Sequence, residues 1–81
     1  MVSPQDVKRY IEQGLACDHV EVVGDGQHFE AIIVSPAFRG KNRVQQHQMV
    51  YRGLGDRMKE EIHALSMQTF TPEDWARVAQ R

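Results

Sequence analysis

Residues 19–35 of the sequence, HVEVVGDGQHFEAIIVS, have the pattern of a β-hairpin. The Asp25-Gly26 pair lies between two segments rich in β-branched residues, and it supplies the positive φ angles that a two-residue hairpin turn requires. Phe29 and Ile33 share one face of the second strand, and the later half of this strand is apolar on both faces. A strand buried on both faces is typical of the centre of a sheet. The sequence therefore predicts a sheet whose second strand is central.

Helix signals lie at both ends of the chain. Ser3 as N-cap and Pro4 at the first helical position predict a first helix that ends near Gly14. Thr71 and Pro72 repeat the same start signal for a last short helix. The residues expected to form the inward face of that last helix are Trp75, Val78 and Ala79.

A further helix and a third strand are predicted between these two. Pro36 ends the second strand, and a helix begins near Asn42. Gly53 and Gly55 each weaken this helix by about 1 kcal/mol relative to alanine, so we expect a bend there. The third strand is expected over residues 62–70. The expected buried stripe of the middle helix is Val44, Tyr51, Leu54 and Met58.

The resulting order is α-β-β-α-β-α over residues 1–81. We therefore predict a single α+β domain with helices packed on a three-stranded mixed sheet. The connection through the middle helix implies that the second and third strands are parallel if they are neighbours.

The composition and motifs exclude several classes of protein. With 81 residues, only about 60% of the surface of the chain can be buried, so we expect no broad catalytic cleft. There is no P-loop, dinucleotide fingerprint or nucleophile spaced with a base, so no enzyme is expected. Cys17 is the only cysteine and cannot close a disulfide or a four-ligand zinc site alone. The chain has no signal-peptide pattern and no apolar run of about 18 residues, which favours a cytoplasmic protein without membrane contact.

The charge is distributed unevenly along the chain. Residues 1–30 have six acids and two bases, and residues 56–81 have five acids and four bases. Residues 31–55 contain four bases and no acid, so a local cationic patch is expected on a chain of net charge −1. Such a patch suits a phosphate backbone or an acidic partner, although a solvated face is the alternative. The four bases are Arg39, Lys41, Arg43 and Arg52.

Three stretches of the sequence resemble a known family. They are GDGQHFEAIIVSPAF, RVQQHQMVYRGLG and IHALSMQTFTPEDW, and in order and spacing they are similar to the signature stretches of BolA-like proteins, particularly the short IbaG-type members of bacteria. The resemblance extends from about Val20 to Trp75, and the three blocks together are far more specific than any one of them. It implies a fold similar to class II KH domains.

The resemblance also implies a partner, a cofactor and a site. BolA-like proteins bind monothiol glutaredoxins, whose active-site cysteine and bound glutathione supply ligands to a shared 2Fe-2S cluster. The BolA-like chain contributes the histidine of the IHAL motif, here His63, and in many members also a cysteine or histidine from the loop between the first two strands. That loop carries Gly24, Asp25 or Gly26 here, so His28 is the nearest candidate for a second ligand. No cofactor is expected in the isolated chain, which we expect to be a monomer or weak homodimer.

Each functional interpretation has an alternative. His63 fits a strand-end histidine bonded to a backbone carbonyl as well as a ligand, His47 is interpreted first as structural, and His19 as exposed. The segment FRGKNR lies where a KH domain has its GxxG loop, but only Gly40 is present. The leading hypothesis is a non-enzymatic adaptor in iron-sulfur cluster trafficking or iron sensing. The second is a small nucleic-acid-binding transcriptional regulator that uses the cations between residues 39 and 52, and a stress or morphology factor is a third.

Overall fold

The expected α+β order is confirmed, with two additional short helical segments. The structure is a computed structural model and describes residues 2–80. No helix within this range is both long and apolar enough to cross a bilayer. The elements are α1 (Pro4–Gly14), β1 (His19–Gly24), β2 (His28–Val34), a 3-10 helix (Pro36–Phe38), α2 (Arg43–Leu54), α3 (Arg57–Glu60), β3 (Ala64–Phe70) and α4 (Pro72–Ala79).

The sheet has the order β1-β2-β3, so β2 is central as predicted. β1 and β2 are antiparallel, with His19 opposite Val34 and Gly24 opposite Phe29. β2 and β3 are parallel, as predicted from the helical connection between them. Their register begins with His28 opposite Ala64. The third strand begins at Ala64 rather than at residue 62, because the Ile62 nitrogen donates to the Arg57 oxygen of α3 at 2.9 Å and not to β2.

The helical starts follow from side-chain caps. Ser3 and Asp6 form a reciprocal capping box at α1, and Asn42 and Gln45 form one at α2. The Thr71 side chain accepts from the backbone of α4. These caps satisfy backbone donors that the first turn of a helix leaves without intrahelical partners.

The main core lies between the sheet and the layer of α1 and α2. It is formed by apolar side chains of one sheet face and of both helices. The two helices approach closely at two glycines: a Cβ on Gly14 would lie 2.4 Å from the carbonyl oxygen of Gly53. Gly53 therefore serves helix packing. The expected bend is a complete break, because Gly55 caps α2 with a φ of 58° and α3 begins two residues later.

The predicted buried stripe of α2 is wrong at two of its positions. Val44 is 66% exposed and Tyr51 is 40% exposed, whereas Leu54 is buried and Met58 packs against the core. Val50, which the prediction omitted, is buried. Residues seven apart share a helix face, so the spacing of Val44 and Tyr51 was helical but belonged to an outer face.

The hairpin turn and the last helix also differ from expectation. Gly26 is in the positive-φ region, at 98°, but no non-glycine residue within residues 2–80 is, so Asp25 does not share this conformation. The turn is centred on Gly26 and Gln27. In α4, Val78 and Ala79 are exposed and only Trp75 is partly buried. The helix therefore packs through Trp75 alone of the three.

α4 packs against one end of the sheet face that lies opposite to α1 and α2, while Glu30 and Gln68 on the rest of that face are exposed. Val34 is 1% exposed and follows Ile33, which belongs to the main core, so the two side chains point to opposite faces. The Trp75 ring lies 5.3 Å from the rings of both His19 and Phe70. These two residues are the strand partners of Val34, so the aromatic group closes this end of the second face.

Candidate functional site

Two imidazoles lie side by side where β3 begins. His63 directly precedes β3, His28 begins β2, and both are exposed. The parallel register pairs His28 with Ala64, which carries His63 to the hairpin end of the sheet. The ring centroids are 6.5 Å apart and the ring planes are at 87°. The two candidate ligands expected from the sequence are therefore neighbours in space.

The backbone beneath this pair is held by one carboxylate. The Oδ1 atom of Asp25 accepts hydrogen bonds from the backbone nitrogens of Gln27 and His28, each at 2.9 Å. These bonds, first that from His28 and then that from Gln27, hold the pKa of Asp25 below its usual value. The Ala64 nitrogen donates to the Gln27 oxygen at 3.0 Å and ties the start of β3 to the same turn. The imidazoles are thus exposed side chains on a fixed backbone.

The donor set of the pair fits a shared metal site better than a site within one chain. Within residues 2–80, no group of three or more His, Cys, Asp or Glu side chains could hold a metal ion. Metal–nitrogen bonds of about 2 Å place two imidazoles on one ion with centroids roughly 5–6 Å apart. The separation of 6.5 Å is slightly wider, so the two rings would have to move towards each other to bind one ion. The chain can offer one or two nitrogen ligands, and other ligands have to come from elsewhere.

His47 and His19 occupy different surroundings. The Nε2 atom of His47 is buried without a hydrogen-bond partner among residues 2–80. Burial, and secondarily the charge of Arg43, lower the pKa of His47. His19 is not simply exposed, which corrects the expectation, because its ring stacks on Trp75. Its Nε2 atom lies 3.5 Å from Glu21 Oε1, outside hydrogen-bonding geometry.

Cys17 does not belong to the imidazole pair. Its thiol donates to the Leu15 oxygen at 3.3 Å, and burial raises its pKa to about 11. The adjacent Asp18 bonds to Val34 at the far end of β2. That end is about 20 Å from His28, since a strand rises about 3.3 Å per residue. Cys17 therefore remains a protonated thiol remote from the candidate ligands.

The four expected nucleic-acid contacts do not form one patch. Arg39 is engaged by Glu73, with its Nε and Nη2 atoms 3.0 and 2.6 Å from the two carboxylate oxygens. This bidentate pair raises the pKa of Arg39 and lowers that of Glu73. Arg43 and Arg52 are nine residues apart on α2, which places them on opposite faces about 13 Å apart along the axis. Lys41 and Arg43 remain as an exposed pair at the start of α2.

The sequence identified the histidines and the cationic residues as candidates but did not indicate which other side chains they contact. The Arg39–Glu73 pair joins residues that are remote in the chain and leaves no local pattern. The stacking of His19 on Trp75 depends on the packing of α4. The parallel strand prediction contained the signal for the His28–His63 pair, since it aligns the starts of the two strands.

An α+β fold with a central hairpin strand, a parallel third strand and an imidazole at the start of that strand matches a known class of proteins. The family described as BolA-like protein matches residues 9–74. The chain is 37% identical to the acid stress protein IbaG of Escherichia coli K12 over 73 residues, covering 89% of this chain and 87% of that protein. This chain belongs to the BolA-like family and is of the IbaG type.

Two further relatives bear on fold and function. A solved bolA protein homologue from Coxiella burnetii is 42% identical, with a TM-score of 0.85, covering 95% of this chain and 100% of that one. The DNA-binding transcriptional regulator BolA of Haemophilus influenzae is 42% identical over 52 residues, which is 64% of this chain and 50% of that protein. The first relative confirms the fold. The name of the second relative describes DNA binding and transcriptional regulation by that protein.

Proposed function

We propose that this chain is a non-enzymatic adaptor that binds a monothiol glutaredoxin and supplies His63, with His28 beside it, to a bridging 2Fe-2S cluster. The observation that carries the proposal is the exposed His28–His63 pair at 6.5 Å, which has no third protein ligand within residues 2–80. The resemblance to BolA-like proteins supports it, because the cluster ligand that this resemblance implies is the histidine of the IHAL stretch, which is His63. The role would be iron-sulfur cluster trafficking or iron sensing.

The chemistry of imidazole suits such a role. Replacement of thiolate ligands by imidazole raises the reduction potential of a cluster. An imidazole must be neutral to ligate, so the adaptor would lose its ligands on acidification. His63 and His28 are exposed, which allows them to reach a metal held mainly by another chain.

Anaerobic reconstitution of this chain with a monothiol glutaredoxin, glutathione, iron and sulfide tests the proposal. Visible absorption and circular dichroism should give a spectrum distinct from that of the glutaredoxin alone. We expect His63→Ala to abolish this spectrum and His28→Ala to alter or abolish it. His19→Gln is the matched control, since it removes an imidazole at the other end of the sheet. A mixture that gives only the spectrum of the glutaredoxin, or a spectrum unchanged in His63→Ala, would refute the ligand assignment.

A second candidate function is nucleic-acid binding through Lys41 and Arg43. These two exposed cations flank the N-cap of α2, and no ion pair within residues 2–80 occupies them. Binding to a DNA duplex should weaken steeply with salt. Joint charge reversal of Lys41 and Arg43 should abolish it, whereas His63→Ala should not affect it. Absence of DNA retention at low salt would exclude this candidate.

A further inference from the structure

The outer edge of β3 presents unpaired backbone groups. β3 pairs only with β2 among residues 2–80. The Ala64 nitrogen and the Phe70 oxygen both bond towards β2, and the two backbone groups of any strand residue point to the same side. The even-numbered residues of β3 therefore face β2. The backbone groups of Leu65, Met67 and Thr69 face outward, offering three donors and three acceptors.

This edge lacks the devices that protect exposed strands from pairing. Natural edge strands carry charged residues, prolines or bulges that discourage the addition of another strand. β3 has the sequence ALSMQTF, with no charged residue and no proline. Its pairing with β2 is continuous over all seven residues, so no bulge interrupts it. β1, the other edge strand, carries Glu21 in its middle.

The flank of α2 next to this edge is apolar. Gly53 faces α1, while Val50 and Leu54 face the core. α1 packs on β1 and α2 packs on β3, so the side of α2 turned away from α1 lies above the outer edge of β3. At 100° per residue, Val44 and Tyr51 lie on that side, with His47 between them.

The β3–α2 surface therefore consists of the outward backbone of residues 65, 67 and 69 and of the side chains of Val44, His47 and Tyr51. Leu65 and Met67 are only partly buried. The buried Nε2 atom of His47 has no partner within residues 2–80. A sheet edge beside a helix is an arrangement that other proteins use to bind extended peptides as an added strand.

The charge of this surface selects the partner. Neither α2 nor β3 contains a carboxylate, and the charged residues of α2 are Arg43 and Arg52. The Thr69 hydroxyl donates a hydrogen bond of 2.7 Å to the side-chain oxygen of Gln46, which lies near the start of α2. Lys41 and Arg43, at the same end of α2, therefore lie near Thr69. Glu73 of α4 also lies near this end, but it is paired with Arg39, and no ion pair within residues 2–80 involves Lys41 or Arg43. The surface is thus cationic at this end.

We propose that the β3–α2 surface binds an extended acidic peptide segment of a partner protein, which pairs with the outer edge of β3 and contacts the Val44–Tyr51 flank of α2. Main-chain hydrogen bonds to residues 65, 67 and 69 provide affinity, and Lys41 and Arg43 select for acidic side chains. The peptide site begins at Leu65, two residues after His63 on the same side of the chain, and does not depend on a cluster.

Amide exchange measured by NMR provides a residue-specific test. The probe is a capped synthetic peptide in which valine and glutamate alternate. In the free protein, the amides of Ser66, Gln68 and Phe70 should exchange slowly, because they bond to β2, and those of the outward residues should exchange fast. Addition of the probe should slow exchange at Leu65, Met67 and Thr69. A peptide with lysine in place of glutamate should bind about tenfold or more weakly.

Matched variants separate the surface from general effects. Val44→Glu and the pair Lys41→Glu/Arg43→Glu should each weaken probe binding about tenfold or more. Val23→Glu is the control for the first, since Val23 is similarly exposed, at 61%, but lies on β1. Arg52→Glu is the control for the second, because it changes charge on the opposite face of α2. Both controls should bind the probe normally.

Three results would overturn the proposal. One is no binding of the acidic probe, or binding without protection of the three outward amides. Another is protection of those amides by increasing protein concentration alone, which would make a second copy of this chain the occupant. The third is a single-stranded oligonucleotide that displaces the probe and binds more tightly than it does, which would assign the surface to nucleic acid.

Discussion

Histidines lie at both ends of β2, but they are exposed at one end and packed against an aromatic ring at the other. At its start, His28 lies beside His63, and both rings are exposed. At its end, Val34 is buried, and the neighbouring His19 stacks on Trp75. The first end holds side chains in reach of another molecule, and the second end uses its aromatic rings to close the sheet. A histidine in this chain is therefore assigned to function or packing by its surroundings rather than by its motif alone.

We call the end of β2 at Val34 the closed end and the end at His28 the open end. Because only the closed end is packed, we expect substitutions there to affect stability most. Trp75→Ala removes the ring that contacts His19 and Phe70 and uncovers Val34. Because Trp75 is partly rather than fully buried, we expect a loss of about 2 kcal/mol in the free energy of unfolding. Urea unfolding followed by circular dichroism measures it.

Val78→Ala is the control on the same helix, with an expected change below about 0.5 kcal/mol because Val78 is 45% exposed. His63→Ala at the open end should also change stability by less than about 0.5 kcal/mol. Equal losses in Trp75→Ala and His63→Ala would contradict the contrast between the two ends.

Ser35→Ala should give the next largest effect. Ser35 is fully buried, and its hydroxyl donates to the Ala16 oxygen at 2.6 Å and accepts from the Ala37 nitrogen at 3.1 Å. Removing it leaves the Ala16 oxygen and the Ala37 nitrogen, in partly buried hydrogen bonds, without this partner, so we expect a loss of about 1 kcal/mol. Urea unfolding is again the measurement. Ser66→Ala, at an exposed position of β3, should be nearly neutral, and a similar loss in both variants would refute the role of the buried hydroxyl.

These effects show what a sequence can and cannot predict for this chain. The element order, the central strand and the parallel pairing follow from local signals such as the Ser3 and Thr71 caps and the two-faced apolar run of β2. The sequence was also sufficient to select the candidate histidines and cationic residues. Local patterns could not decide which of two helical faces is buried, because Val44 and Tyr51 share a face just as Val50 and Leu54 do.

Relations between remote residues were beyond local patterns. Gly53 is required by a close approach of α1, which no property of α2 alone indicates. The pairing of Arg39 with Glu73 removes one cation from the expected patch, and only the three-dimensional path of the chain reveals it. The adjacency of His28 and His63 was predictable in part, since it needs only the parallel register.

Asp25→Ala sharpens the comparison from the open end. The carboxylate holds the Gln27 and His28 amides, so its loss should lower the melting temperature modestly, by less than Ser35→Ala, and loosen the backbone below His28. The pKa of Asp25 is lowered by folding, so its contribution is present above the usual value of 3.8 and is lost as pH falls through the folded pKa. The difference in melting temperature between wild type and variant should therefore shrink in acid.

Asp25→Asn is the matched variant, because its side-chain oxygen still accepts from the two amides but does not titrate. It should retain part of the stability at neutral pH and show no such acid dependence from this position. A difference between wild type and Asp25→Ala that is constant from pH 7 to pH 3 would contradict the assignment of the lowered pKa to these hydrogen bonds.

The smallest expected effect concerns Cys17, which lies near the closed end. Burial raises the pKa of its thiol to about 11, with Glu12 and Asp18 acting in the same direction. Only the thiolate reacts with iodoacetamide, so alkylation of the folded protein should be slow at pH 8 and should rise about tenfold per pH unit towards pH 10. Mass spectrometry measures the rate. The unfolded chain in urea should react much faster at pH 8, since its thiol has the ordinary pKa. Equal rates in the two states would show that Cys17 is open to solvent, and the closed end would then be less closed than its packing indicates.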